Sequence, residues 1–78
     1  MPTLETLVVE RAAHGVVTLT LNRPERKNAM NAAMFNELLA VFREVDASTT
    51  DRVLVITGAG DAFCSGADLS DRGNDTRH

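Results

Sequence analysis

Cysteine is almost missing from this sequence of 78 residues, which contains Cys64 alone. A single thiol excludes an internal disulfide and a cysteine-rich metal site, and it suits a reducing compartment, so the sequence predicts a cytoplasmic protein. The two histidines, His14 and His78, lie too far apart in sequence to indicate a local metal motif. We therefore expect neither a disulfide nor a metal ion to support the fold.

Long apolar runs, a basic excess and internal repeats are also missing. No run of about 18 apolar residues is present, so no membrane-spanning helix is predicted. The first six residues lack the basic start and the apolar core of a signal peptide. Eight basic residues against eleven acidic ones give a net charge of −3, whereas nucleic-acid binding needs a clustered basic face. We expect neither a membrane nor a nucleic acid as a partner.

What is present is typical of one small globular domain. The apolar fraction of 44% is too high for a disordered chain, and 78 residues allow a single small core. The segments Leu7–Arg11 and Val16–Leu21 are rich in β-branched residues and predict two strands, joined by a turn at 13–15 into an antiparallel hairpin. His14 is predicted to be a solvated residue of that turn. Pro24 predicts a loop over 22–28, because proline lacks the amide donor that a strand or helix needs.

An amphipathic helix is predicted to begin after Asn31, whose side chain can cap the first turn, and to end near Ser48. At about 100° per residue its apolar side chains fill one arc of roughly 160°. These are Met34, Phe35, Leu38, Leu39, Val41, Phe42 and Val45. Glu37 and Glu44 fall opposite that arc, so we expect both to be solvated and neither to be catalytic.

The chain is organised around Val53–Leu69. Val53–Ile56 predicts a short strand that is buried on both faces, and a strand, helix, strand order predicts a parallel pair with a right-handed crossover. One helix covers only one face of such a sheet, and the residues after Leu69 are polar. We therefore expect a second layer from elsewhere, either another chain or a continuation of this one.

The glycine-rich loop at 58–69 admits three chemical interpretations. A dinucleotide loop is disfavoured because Phe63 replaces the third glycine and no helix follows directly. Part of the loop resembles the phosphate-binding signature of ribokinase-like sugar kinases, in which Asp61 would activate a hydroxyl. The long apolar helix that follows that signature is missing here.

The third interpretation uses the whole chain. The sequence contains Leu-Asn-Arg-Pro-Glu-Arg-Lys-Asn-Ala-Met at 21–30, an amphipathic helix, Val-Leu-Val-Ile-Thr-Gly at 53–58 and Phe-Cys-Ser-Gly-Ala-Asp-Leu at 63–69. In this order the motifs resemble the N-terminal part of the crotonase, or enoyl-CoA hydratase/isomerase, family. The resemblance implies an α/β fold that is the N-terminal part of a crotonase-like spiral: antiparallel hairpin, amphipathic helix, parallel strand and oxyanion loop.

The resemblance also implies site residues. Ala67 matches the family's first oxyanion-hole residue, whose backbone N–H binds the thioester oxygen of an acyl-CoA as an enolate forms. Taken alone, the basic loop residues are favoured as solvated charges and Cys64 as a packing residue. Asp68 fits a turn cap as well as a ligand contact. The positions that match the coenzyme A path or the thioester surroundings are Arg26, Lys27, Ala29, Ser65, Ala67, Asp68 and Leu69.

The expected function is binding of an enoyl-CoA thioester and stabilisation of its enolate within a lyase or isomerase of fatty-acid metabolism. No metal or redox cofactor is expected; coenzyme A is the substrate carrier. The family's second oxyanion donor and its acid/base glutamates belong to a later segment, and none of the glutamates here matches them.

We therefore expect residues 1–69 to be the N-terminal part of a crotonase-like domain. Residues 70–78 are expected to be a polar mobile tail at a truncation or cleavage point, with the C-terminal remainder as a separate or missing fragment. The family implies a homotrimer or hexamer. The alternative is a non-catalytic CoA-binding or assembly module from a truncated gene.

Overall fold

The computed structural model describes residues 4–67. Three strands and one α-helix follow in the order β1 (Leu7–Arg11), β2 (Val16–Leu21), α1 (Ala32–Ala47) and β3 (Val53–Gly58). Short 3-10 turns lie at Ala13–Gly15 and Pro24–Arg26. The predicted site positions Asp68 and Leu69, and the predicted tail at 70–78, lie outside the described residues.

The three strands form one sheet in the order β1-β2-β3. β1 and β2 are antiparallel, with Leu7 opposite Leu21, and β2 and β3 are parallel, with Leu21 opposite Gly58. The hairpin and the parallel pair are thus confirmed, and β3 runs two residues beyond the predicted end at Ile56. His14 adopts φ 67° in the exposed hairpin turn. This turn precedes β2 and lies at the opposite end of that strand from Leu21.

Helix α1 begins and ends where the sequence predicts. The Asn31 side chain accepts a hydrogen bond from the Met34 N–H at 2.8 Å, which satisfies one of the free donors of the first turn. Ser48 forms the C-terminal cap. The helix packs on the β1–β2 side of the sheet, and the core consists of Leu7, Leu19, Leu21, Met34, Leu38 and Val41.

The prediction that Glu37 is solvated is wrong, because the segment before β1 lies over that part of α1. Glu37 is only 7% exposed. Its Oε1 accepts hydrogen bonds from the Glu5 N–H at 3.0 Å, the Thr6 N–H at 2.9 Å and the Thr6 hydroxyl at 3.0 Å. The buried carboxylate therefore fastens the N-terminal segment to the helix, as buried charges require hydrogen-bond partners.

Burial of β3 on both faces is not observed among residues 4–67. Val53, Val55 and Ile56 are all exposed, since α1 covers the other edge of the sheet. The apolar arc of the helix is also only partly covered, because Phe35, Leu39 and Phe42 are exposed. No helix of the described residues is long and apolar enough to cross a membrane.

Candidate functional site

Two loops begin at the same end of the parallel strands. The first loop (residues 22–31) follows β2 and the second loop (residues 59–67) follows β3. Because β2 and β3 are parallel and end opposite each other, both loops start at their carboxyl ends. Ligands of parallel sheets characteristically bind at that edge. The topology therefore places the five predicted site residues that the structure describes in adjacent loops.

Exposed polar contacts join the two loops on their outer side. The Lys27 ammonium lies 3.2 Å from the carboxylate of Asp61, and both side chains are largely exposed. The Ser65 hydroxyl donates a hydrogen bond to the Arg26 carbonyl at 3.4 Å. Such exposed contacts compete with water and are individually weak.

Buried contacts join the same loops more firmly. Asn28 is fully buried, and its Nδ2 donates hydrogen bonds to the Ala59 carbonyl at 2.9 Å and to the Ala62 carbonyl at 2.7 Å. Its Oδ1 accepts from the Arg23 N–H at 2.7 Å. Met30 then donates its N–H to the Gly66 carbonyl at 2.7 Å. Asn28 has φ 57°, a left-handed conformation that asparagine tolerates better than most residues.

Two glycines allow the second loop to turn tightly. A Cβ at Gly58 would lie 2.5 Å from the Phe63 carbonyl oxygen, which is far inside contact distance. Gly60 has φ +81°, and a Cβ there would lie 3.0 Å from the Cβ of Pro24 in the first loop. A larger residue at Gly58 would therefore open the turn of the second loop, and one at Gly60 would press on the first loop.

Ala67, the predicted oxyanion residue, is exposed and pairs with Met30 in an isolated parallel bridge. In that bridge the Met30 N–H is bonded to the carbonyl of Gly66, so the Ala67 N–H is not used by the pairing. Among residues 4–67, none accepts a hydrogen bond from the Ala67 N–H.

Three of the predicted coenzyme A positions lie in the first loop, which the Met30–Ala67 bridge joins to the second loop. Arg26 and Lys27 are exposed at the surface, whereas Ala29 is half-buried. The Ala29 carbonyl accepts a hydrogen bond from the Arg23 guanidinium, which helps to hold the loop closed. Arg26 and Lys27 are therefore accessible to a ligand where both loops meet, and the charge of Lys27 is paired with Asp61.

An apolar groove of about 270 Å³ opens between α1 and the second loop. Met30 and Cys64 reach its wall from the two loops, so the groove adjoins the Met30–Ala67 bridge. Cys64 is half-buried and packs against the core, as predicted. The lining side chains are Leu21, Met30, Phe35, Leu38, Leu39, Phe42, Ile56, Phe63 and Cys64.

The family model for enoyl-CoA hydratase/isomerase matches residues 11–78. The chain belongs to the enoyl-CoA hydratase/isomerase family. The predicted resemblance is thus confirmed, and it displaces the dinucleotide and sugar-kinase interpretations of the second loop. Asp61, which the sugar-kinase interpretation required as a base, instead forms the ion pair with Lys27.

Individual members of the enoyl-CoA hydratase/isomerase family are similar over most of the chain. The 1,2-epoxyphenylacetyl-CoA isomerase of Escherichia coli is 46% identical over 87% of this chain and 26% of its own length. The mitochondrial Delta(3,5)-Delta(2,4)-dienoyl-CoA isomerase of Rattus norvegicus is 41% identical over 91% of this chain and 22% of its own. The chain spans about a quarter of the length of these relatives.

The fold of the family is shown directly by a solved structure. The enoyl-CoA hydratase of Bacillus anthracis superposes with a TM-score of 0.86 at 34% identity, covering 94% of this chain and 29% of that one. The described strands and helix therefore form an N-terminal crotonase-like portion.

Two supporting groups are not evident from the sequence. One is Asn28, although asparagine in a loop often adopts φ > 0 and bonds to the backbone. The other is Glu37, which the helical wheel places on the solvated side of α1. Among the described residues, no group of three histidine, cysteine or acidic side chains is arranged to hold a metal ion.

Proposed function

We propose that the two loops bind the thioester end of an acyl-CoA and that the Ala67 N–H stabilises the enolate oxygen formed from it. The observation that carries this proposal is the Ala67 N–H itself, which lies at an exposed loop and has no acceptor among residues 4–67. An N–H held in place before the reaction stabilises a developing negative charge without reorganisation. Membership of the enoyl-CoA hydratase/isomerase family supports the same chemistry.

In this proposal the first loop carries the coenzyme A body. Arg26 and Lys27 attract its phosphates as point charges, and Ala29 and Ser65 line the path toward the thioester. Asp68 and Leu69 are assigned to the thioester surroundings by the resemblance alone. Coenzyme A is the carrier of the substrate, and the chemistry calls for proton transfer rather than for a metal or redox group.

The finer reaction type depends on the proton-transfer groups. The relatives are named as isomerases acting on different CoA esters, and other members of the family as hydratases. These reactions share a stabilised oxyanion and differ in the acid and base. Glu37 is no candidate for either role, because its carboxylate is hydrogen-bonded to Glu5 and Thr6. We assign the acid and base to further polypeptide.

We propose that this further polypeptide, a C-terminal remainder of the same protein, covers the apolar groove and the open face of β3. The exposure of Phe35, Phe42 and Ile56 supports this placement, since clustered exposed apolar side chains mark contact surfaces. We further propose a homotrimer or hexamer, because the resemblance implies one. The free Cys64 supports a cytoplasmic location. Native mass spectrometry should show a mass well above that of 78 residues; a monomer of that size alone would refute the covering.

Replacement of Ala67 by proline tests the oxyanion role. Ala67→Pro removes the N–H, and the bond from Met30 to the Gly66 carbonyl does not require it. We expect enoyl-CoA turnover to fall by about 10²–10³, the usual cost of one oxyanion donor. Ala67→Ser keeps the N–H and is the matched control, with turnover expected to stay within about threefold of the unaltered protein.

The same experiment separates the enzyme from a non-catalytic module. The unaltered protein and both variants are assayed together with the proposed C-terminal remainder, which would supply the acid and base. If the unaltered protein then binds acyl-CoA in calorimetry but does not turn it over, the binding or assembly module is favoured. If Ala67→Pro and Ala67→Ser lose turnover equally, the effect comes from the side chain or from the loop, and the oxyanion role of Ala67 is wrong.

A further inference from the structure

Asn28 lies where the two loops are joined, and its side chain is hydrogen-bonded to both of them. One end accepts from the Arg23 N–H in the first loop, and the other donates to the Ala59 and Ala62 carbonyls in the second. Because Asn28 is fully buried, water cannot replace these partners. The side chain therefore fixes the distance between the loops.

The position of Ala67 depends on that distance. Ala62 precedes Ala67 by a few residues, and the Met30–Gly66 bond lies at the other end of the intervening segment. The segment 62–66 is thus held at both ends by neighbouring residues of the first loop, Asn28 and Met30. The remaining contacts, Lys27 with Asp61 and Ser65 with Arg26, are exposed and hold less firmly.

We propose that Asn28 is a positioning residue that keeps the Ala67 N–H in register with the coenzyme A contacts of the first loop. This inference rests on the proposed function. Its consequence is that one ligand is bound at two points: the coenzyme A body by the first loop and the thioester oxygen by Ala67. Loss of the register weakens the contact of the thioester oxygen with Ala67 more than the binding of the coenzyme A body. The reason is that a small misplacement strongly reduces an oriented interaction.

Asn28→Gly is the appropriate variant, because glycine accepts φ 57° without strain and removes only the side chain. The matched control is His14→Gly. It also replaces a residue in the left-handed conformation, at φ 67°, but lies at the opposite end of β2. Calorimetry measures the affinity of each protein for coenzyme A and for an acyl-CoA thioester. The ratio of the two affinities isolates the thioester contact.

We expect Asn28→Gly to lower this ratio about tenfold, the worth of one well-placed hydrogen bond, while coenzyme A affinity changes by less than about threefold. His14→Gly should leave both affinities unchanged. A purely structural role would lower both affinities in parallel with the folded fraction and leave the ratio intact, which would overturn the inference. If the unaltered protein shows no preference for acyl-CoA over coenzyme A, the proposed function itself fails.

A measurement on the unaltered protein covers the case in which Asn28→Gly does not fold. The side-chain amide resonances of Asn28 should shift together with the Ala67 amide when acyl-CoA is added, and with the same midpoint. Coenzyme A alone should leave the Ala67 amide unmoved. A shift at Ala67 with Asn28 unmoved would overturn the inference, because the two groups would then be uncoupled.

Discussion

Helix α1 carries two rows of apolar side chains, and only one of them is buried. In the inner row, Met34 and Val41 have no exposed surface and Leu38 is 7% exposed. In the outer row Phe35, Leu39 and Phe42 are 53%, 37% and 40% exposed. The outer row contains the larger aromatic side chains, so it has more apolar surface to bury than the inner row. The comparison indicates that the inner row builds this part of the fold, whereas the outer row leaves apolar surface uncovered among residues 4–67.

The largest expected effect comes from breaking the inner row. Met34→Ala removes a fully buried side chain next to Leu19 and Leu21, and it should lower the free energy of unfolding by about 2–5 kcal/mol. Phe35→Ala, the neighbouring position in the outer row, should cost less than about 1 kcal/mol. Urea unfolding measures both. Equal losses would contradict the distinction between the two rows.

A second variant tests the polar contact beside the inner row. Glu37→Ala leaves the Glu5 and Thr6 amides without an acceptor, and a loss of about 2 kcal/mol is expected. Glu44→Ala on the same helix removes an exposed partner of Arg11 and should cost less than about 1 kcal/mol. Limited proteolysis should cut before β1 faster in Glu37→Ala only. If the cut is not accelerated, Glu37 does not hold that segment.

The third prediction concerns how the free energy of unfolding depends on pH through the ion pair of Arg11 and Asp51. Hydrogen bonds from the Arg11 guanidinium lower the pKa of Asp51. A lowered pKa in the folded protein stabilises it above the unfolded value of about 3.9, and this contribution is lost as the pH falls through the folded value. The free energy of unfolding should therefore fall with acid below about pH 4. In Arg11→Gln the free energy of unfolding should fall less steeply with acid below about pH 4. An unchanged pH dependence would refute the pairing of Arg11 with Asp51.

The smallest effect on stability is expected in the outer row. Phe42→Lys places a charge on the groove wall, where the side chain is already partly in water, and should cost less than about 1 kcal/mol in the isolated chain. It should also reduce binding of an apolar fluorescent dye by about half. If Phe42→Lys lowers the free energy of unfolding of the purified protein by several kcal/mol, the groove is covered in that protein. The outer row would then be buried by a different partner from the inner row.

Local sequence signals predict the strands, the helix and its N-cap well. The N-cap at Asn31 and the hairpin turn at Gly15 follow from residue types that favour those conformations, independently of the rest of the chain. The parallel pairing of β2 and β3 follows from the order strand, helix, strand. These features depend on contacts within one or two neighbouring elements.

Features that depend on distant segments were not predicted from sequence. The helical wheel places Glu37 opposite the apolar arc, and it contains no information that residues 5 and 6 lie on that side. Likewise, nothing near Asn28 in sequence shows that its amide reaches carbonyls more than 30 residues later. The family motifs assign Ala67 and the basic loop residues, but the support behind them becomes visible only in three dimensions.

The most direct test of the central claim is the amide resonance of Ala67 in a titration with two coenzyme A derivatives. One is an acyl-CoA thioester, and the other is a thioether of the same chain length that lacks the carbonyl oxygen. The account predicts a downfield shift of the Ala67 amide proton with the thioester and little change with the thioether. An Ala67 amide that stays in place with the thioester, while other loop resonances move, would contradict it.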